Sequence, residues 1–185
     1  MTIDCIWAKL KRLVQCLLHT KFNNREDIFV DVKIKCDEGN FKMRVAGCII
    51  KDGKLLTVKI CDNTFYCLPG GHVHLGESSL DAIKREINEE VRQDCKNAKL
   101  LSVIENFFKN MKGNIVHEVC YYYDVEVGEM ETKDYTYIEN DDGELKNLEF
   151  KWVKLEDLPK IDFRPKALGS KLANKNFNFE HMITD

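Results

Sequence analysis

Apolar and polar positions alternate along much of this chain with a period of two, and the alternation gives way to a helical period in three places. Ile28, Val30, Val32 and Ile34 alternate with Phe29, Asp31, Lys33 and Lys35, which predicts a half-buried strand over 28–36 ended by Asp37-Glu38-Gly39-Asn40. Apolar runs at 45–50 and 55–61 flank Lys51-Asp52-Gly53-Lys54, and Asp-Gly between two such runs signals a tight hairpin. Phe65, Tyr66 and Leu68 lead into the turn Pro69-Gly70-Gly71, and a helical stripe of Leu80, Ile83, Ile87 and Val91 follows. Ser78 is placed to cap that helix, with Asp81 three residues on as its capping-box partner. Further strands are predicted at 100–108 and 116–127, and Pro165 opens a last helix with Leu168 and Leu172 inward. The stretch from Asp124 to Glu149 has ten acids, two lysines and no sustained apolar period, and it reads as a flexible acidic loop.

At the start of the chain, Ile3, Ile6, Trp7, Leu10, Leu13, Val14 and Leu17 share one side of a predicted amphipathic helix that carries Lys9, Lys11 and Arg12 elsewhere. It is too short and too charged to span a bilayer. Packing on the body or on a second subunit is the expectation, so a homodimer is allowed and stable membrane association is not expected. Asn23-Asn24-Arg25-Glu26-Asp27 marks the break between this appendage, 1–27, and a single domain over 28–185. With 185 residues, 44% hydrophobic and 32% charged, there is material for one substantial core. A net charge of -3 argues against general nucleic-acid affinity but permits a small phosphate-bearing ligand. Eight cysteines include no CxxC pair and mostly sit in apolar runs, which points to buried thiols in a reducing, cytoplasmic compartment.

The chemistry concentrates beside the glycine turn. On a regular helix Glu86, Glu89 and Glu90 share an arc of roughly 100° away from the apolar stripe. Three neighbouring carboxylates repel, and hard oxygen ligands converging on a small volume suit Mg²⁺ or Mn²⁺. From the helix alone, a solvated acidic face neutralised by Arg85 and Arg92 is the commoner reading. The spacing is more specific: Gly71, five residues, Glu77, seven residues, then Arg85-Glu86-Ile87-Asn88-Glu89-Glu90.

That run resembles the signature box of the Nudix hydrolases, which cleave a nucleoside diphosphate linked to another group. The resemblance implies an α/β fold, an α/β/α sandwich around a mixed β-sheet, extending over roughly 41–173. It implies a pyrophosphatase in which Glu86, Glu89 and Glu90, with the Gly70 carbonyl, hold Mg²⁺ or Mn²⁺. Arg85 is expected to pair with Glu77 and align the ligands, and Glu89, Glu90 or a loop acid accepts the proton of the attacking water. A further carboxylate from a distant loop ahead of Trp152 is implied, with Glu144 and Glu149 as candidates. His72 and His74 lie in the loop beside the helix, within reach of a substrate phosphate. Tyr66, and Tyr122 within Tyr121-Tyr122-Tyr123, are candidates to stack on a base, against the alternative that such aromatics fill the core. The pattern departs from the family at Arg92 and Gln93, where the box carries a glycine and an aliphatic residue. A glycine there ends the helix in the left-handed conformation, so termination is expected to be deferred toward Asn97.

The substrate class implied is a nucleotide sugar or a modified nucleoside triphosphate. No proline lies between Pro69 and Pro159, and the first tyrosine after the box is Tyr121. Both absences weaken an ADP-ribose or diadenosine polyphosphate assignment. Two other readings stay open: a ligand-sensing or interaction module on the same scaffold, or a hydrolase of a non-nucleoside diphosphate.

Overall fold

A computed structural model of the chain describes residues 30–60, 63–110, 113–141 and 144–184. The expected N-terminal helix and domain break at 1–27 lie outside these residues. The strands are β1 (Lys33–Cys36), β2 (Gly39–Cys48), β3 (Ile50–Lys51), β4 (Lys54–Ile60), β5 (Cys95–Lys109), β6 (Ile115–Val127), β7 (Tyr135–Asp141), β8 (Glu144–Lys154) and β9 (Glu180–Thr184). Helix α1 is Ser79–Glu86, continued by a π turn at Ile87–Val91; a 3₁₀ segment spans Leu155–Lys160, and α2 is Lys166–Ala173.

The strands form a mixed five-stranded sheet in the order β1-β2-β6-β5-β9 and a four-stranded antiparallel sheet in the order β3-β4-β8-β7. The fold is α/β, with helices packed on two separate cores. Period-two alternation sends neighbouring residues to opposite cores. Val45, Leu56 and Tyr123 join Ile83, Ile87 and Val91 of the α1 segment, while Ala46, Leu55 and Tyr122 join Leu168 and Leu172 of α2. Strands covered on both faces explain the near-continuous apolar runs at 45–50 and 55–60.

The hairpin at Asp52-Gly53 forms, with φ of 52° and 72° as a tight two-residue turn requires. Two expectations are corrected. The strand foreseen at 28–36 is described as the four-residue edge β1, exposed throughout, with Ile34 at 61%. Among the described residues only β2 pairs with it; Val32, just ahead of it, packs on the α1 core while Ile34 stays exposed, and Lys33 and Lys35 suit such an edge. The acidic loop is instead largely the β7–β8 hairpin. Tyr135 and Tyr137 turn inward and Tyr135 stacks on Phe150 at 4.6 Å, so the apolar period exists but is carried by tyrosines among charges.

Candidate active site

The segment 69–74 runs antiparallel beside β2: Gly47 N–H donates to the Pro69 carbonyl at 2.9 Å and Val45 N–H to the Gly71 carbonyl at 3.0 Å. Its two glycines have different reasons to be there. Gly70 has φ of 144°, and a Cβ would lie 2.2 Å from the Val45 carbonyl oxygen, so no other residue fits without moving main chain. At Gly71 the obstacle is the Glu86 carboxylate, 2.3–2.6 Å from where a Cβ would stand. The missing side chains thus bring acids of the helix against the backbone of the turn.

Ser78 caps α1 with φ of -75°, accepting from Asp81 N–H at 3.1 Å and donating to the Asp81 carboxylate at 2.6 Å. Ile83, Ile87 and Val91 are buried as the stripe requires, while Leu80 is left 39% exposed and Ala82 takes the inward place. The three glutamates are not equivalent. Glu86 and Glu90 are 8% and 7% exposed, and Glu90 Oε2 accepts from Gly70 N–H at 2.7 Å. The Glu89 side chain is 53% exposed. The π turn that begins at Ile87 puts an extra residue into the coil, so Glu89 and Glu90 do not keep the common arc expected of a regular helix.

Arg85 ties the site together. Nε and Nη2 grip the two oxygens of Glu77 at 2.9 and 3.0 Å, Nη2 also donates to the His72 carbonyl at 2.9 Å, and Nη1 donates to Glu86 Oε1 at 2.8 Å and Glu89 Oε2 at 3.0 Å. All five guanidinium N–H donors are therefore engaged. The electrostatics follow the geometry. Burial raises the Glu86 carboxyl above its ordinary range, and the Arg85 contacts only partly offset it. For Glu77, burial pulls the same way, but the Arg85 bonds and the His74 N–H outweigh it and hold the carboxyl low.

His72 and His74 both face Asp31, which the sequence reading overlooked: His72 Nδ1 is 3.5 Å from Asp31 Oδ2 and His74 Nε2 is 3.6 Å from Asp31 Oδ1. Burial and the nearby Arg44 cation push His72 down to about 4, so its ring is neutral near pH 7. Tyr66 belongs to a separate cluster. Its hydroxyl accepts from Lys151 at 3.1 Å, its ring lies under Lys59 and Lys151, and Glu149 pairs with the same lysines at 2.7 and 2.6 Å. Glu149 is thus neutralised by two cations rather than held in reserve as a lone acid. Glu144 opens β8 opposite Asp141 in the register, at the tip of the hairpin. Tyr122 is corrected outright: at 4% exposure within the α2 core, it offers no face to a base.

Helix termination is also corrected. The helical segment ends at Val91, and Arg92 itself adopts the left-handed conformation, φ 59° and ψ 35°. Its guanidinium stacks over the Tyr137 ring at 4.9 Å and donates to the Tyr137 hydroxyl, holding the helix end to β7.

Residues 41–171, from β2 into α2, match the NUDIX domain family model. The chain belongs to the Nudix family. A curated Nudix-region relative, an ADP-ribose pyrophosphatase from Methanocaldococcus jannaschii, is 34% identical over 122 residues, which cover 64% of this chain and 65% of the relative. The match therefore spans slightly less than two thirds of that protein. Solved structures with a similar fold include a MutT protein from Bacillus halodurans, with TM-score 0.55 and 17% identity over 75% of this chain and 85% of that one. A Nudix hydrolase from Nitrosomonas europaea gives TM-score 0.51 and 18% identity over 75% and 91%. Among the described residues no helix is long and apolar enough to cross a membrane.

The donor set fits a hard divalent ion better than a soft one. Two carboxylates meet the glycine turn below 10% exposure, a third is reached through Arg85, and no thiol or imidazole competes among them. Among the described residues no group of three acid, histidine or cysteine side chains stands close enough together to hold a metal ion by itself.

Proposed function

We propose that this chain is a divalent-metal-dependent pyrophosphohydrolase acting on a nucleoside diphosphate joined to another moiety. Nucleotide sugars and modified nucleoside triphosphates are the substrate classes, and the activity named for the archaeal relative adds ADP-ribose to them. The observation that carries this reading is the pair of buried carboxylates set against a glycine turn, Glu86 held by an arginine with every donor engaged and Glu90 by the Gly70 N–H. Glu86, Glu89 and Glu90 would hold Mg²⁺ or Mn²⁺, with the Gly70 carbonyl offering only the lone pair left by Arg44 Nη2, which donates to it at 2.7 Å. When bound, the ion neutralises phosphate oxygens and lowers the pKa of a water.

The protein's own residues then supply alignment, proton transfer and substrate contact. Arg85, bound to Glu77 and to the His72 carbonyl, fixes the 72–77 loop against α1, so the turn and the carboxylates move as one body. Glu89 or Glu90 accepts the proton of the attacking water; Glu89 is exposed enough to swing, whereas Glu90 is anchored. His72 and His74 line the loop edge and can donate to phosphate oxygens. Tyr66, between two lysines, stands as an outer contact for the substrate.

A panel of ADP-ribose, nucleotide sugars, dinucleoside polyphosphates and nucleoside triphosphates, assayed with Mg²⁺ or Mn²⁺ by phosphate release after phosphatase, tests the reading. Turnover is expected on at least one member, and Glu90→Gln should lower kcat by about a hundredfold or more while leaving the protein folded. A Glu90→Gln variant with wild-type rates at saturating Mg²⁺ would overturn it, as would failure on the entire panel.

A further inference from the structure

A partly buried polar ladder, with Asn106 and Glu118 at its buried centre, crosses the larger sheet on the face opposite α1, and none of its side chains has a place in the mechanism above. Thr184 on β9 donates to the Asn106 side-chain oxygen on β5 at 2.6 Å, and Asn106 Nδ2 donates to Glu118 Oε1 on β6 at 2.9 Å. The second oxygen of Glu118 faces Lys42 at 2.8 Å and Arg44 at 4.0 Å, both on β2. Arg44 Nη2 then donates to the Gly70 carbonyl at 2.7 Å. The contacts follow the order in which β9, β5, β6 and β2 lie in the sheet.

Gly70 is the point where this ladder meets the active site. Its neighbours Pro69 and Gly71 accept from the β2 ladder, which leaves the N–H and C=O of Gly70 itself without a main-chain partner in it. Every buried main-chain group must find a partner, and here two side chains from different elements supply them: Glu90 takes the N–H and Arg44 gives to the C=O. Gly70 also has φ of 144°, a conformation open to glycine and strained for a residue with a Cβ. Arg44 keeps this position although its Nε–H is enclosed without an acceptor among the described residues. An unmade hydrogen bond is tolerated in exchange for the Gly70 and Glu118 contacts.

We infer that Arg44, held in place by Glu118, is a positioning residue that locks the Gly70 peptides so that Glu90 is presented to the metal site. This rests on the functional reading above both for the metal site and for its consequence in turnover. Two possible roles for Arg44 differ in sign. If Arg44 acted only through its charge, removing a cation from beside a dication site would tighten metal binding. If it positions the peptide, removing it loosens metal binding.

The test uses the full chain and Mn²⁺ alone, followed by electron paramagnetic resonance, with kcat and KM measured separately on whichever substrate is turned over. Arg44→Met keeps the apolar stem and removes the donors. It is expected to weaken Mn²⁺ binding about tenfold and to lower kcat by a similar factor with KM within twofold, and Arg44→Lys should recover part of both. Glu118→Gln, which keeps its shape and its Asn106 contact, should shift both readouts several-fold in the same direction and serves if Arg44→Met does not fold. Unchanged or tighter Mn²⁺ binding in a folded Arg44 or Glu118 variant overturns the inference. So does a raised KM with kcat and Mn²⁺ binding intact, which would make Arg44 a substrate contact. Wild-type Mn²⁺ binding that depends on Glu90 without any turnover would defeat the enzyme reading while leaving this inference testable.

Discussion

Adding one methyl group at Gly71 should separate activity from stability. An alanine Cβ there would stand 2.3 Å from Glu86 Oε1 and 2.6 Å from the carboxyl carbon, and an ordinary contact begins near 3.4 Å, so the carboxylate must retreat by about 1 Å. The obstacle is the free end of a side chain, which can rotate; the price is the Glu86 bond to Arg85 and some exposure of a buried acid. Arg85 keeps Glu77 and the His72 carbonyl, so the lost charge-assisted bond costs about 1–2 kcal/mol. The stiffer unfolded chain returns about 0.5 kcal/mol of that. Function should suffer more, since a 1 Å misplacement of an aligned group costs on the order of a hundredfold. Gly71→Ala is therefore expected to lower the urea midpoint slightly and kcat/KM about a hundredfold. Gly70→Ala makes the contrast: its Cβ meets main chain at 2.2 and 2.7 Å at φ 144°, and more than about 3 kcal/mol should be lost. A Gly71→Ala protein with wild-type kcat/KM, or one whose activity loss merely follows unfolding, would refute the reasoning.

Two further expectations concern stability. The left-handed conformation of Arg92 costs a residue with Cβ about 1 kcal/mol, and the Tyr137 contacts offset it. Arg92→Ala keeps the strain and loses the contacts, and should unfold about 1 kcal/mol more easily; Arg92→Gly loses both and should stay within about 0.5 kcal/mol of wild type in urea. Equal midpoints for the two variants would contradict this. Burial raises the Glu118 carboxyl, but Arg44, Lys42 and the Asn106 bond outweigh it and hold it below its ordinary value of 4.5. A lowered carboxyl contributes stability that is present in full above the unfolded-state value and is lost as pH falls through the folded one, so part of the acid limb should belong to Glu118. Glu118→Gln should cost on the order of 2 kcal/mol near neutral pH and flatten the urea midpoint below about pH 4.5; an acid limb as steep as wild type would count against it.

Local signals were legible in the sequence because each has a short-range cause. Ser78 and Asp81 cap the helix as their types demand, Asp52-Gly53 turns the hairpin, and the spacing from Gly71 to Glu90 brings the turn and the acids together. What escaped depends on partners distant in sequence. Nothing local distinguishes Tyr122 from Tyr123, which point into different cores because β6 has both faces covered. Lys42 and Arg44 lie on one face of β2 just ahead of its apolar run, and that pair of charges was the available hint of a buried partner; Glu118, the counter-ion they share, lies 74 positions beyond Arg44. β7 escaped because polar residues outnumber its two inward tyrosines, and Arg92 because its left-handed turn is stabilised by one of them.

The π turn explains how three glutamates share one small region without mutual repulsion dominating. On an unbroken α-helix Glu86, Glu89 and Glu90 would all press on the glycine turn, where burial strengthens like-charge repulsion. Widening the coil after Glu86 lets Glu90 stay beneath Gly70 N–H while Glu89 moves into solvent. Arg85 then needs only Nη1 to bridge Glu86 and Glu89, leaving Nε and Nη2 to hold Glu77 and the loop. A turn of poorer hydrogen-bond geometry is the kind of local cost found at functional sites. Here its product is specific: two buried, anchored carboxylates and a more exposed third tied to Arg85 Nη1, the division of labour that the proposed roles in holding an ion and moving a proton call for.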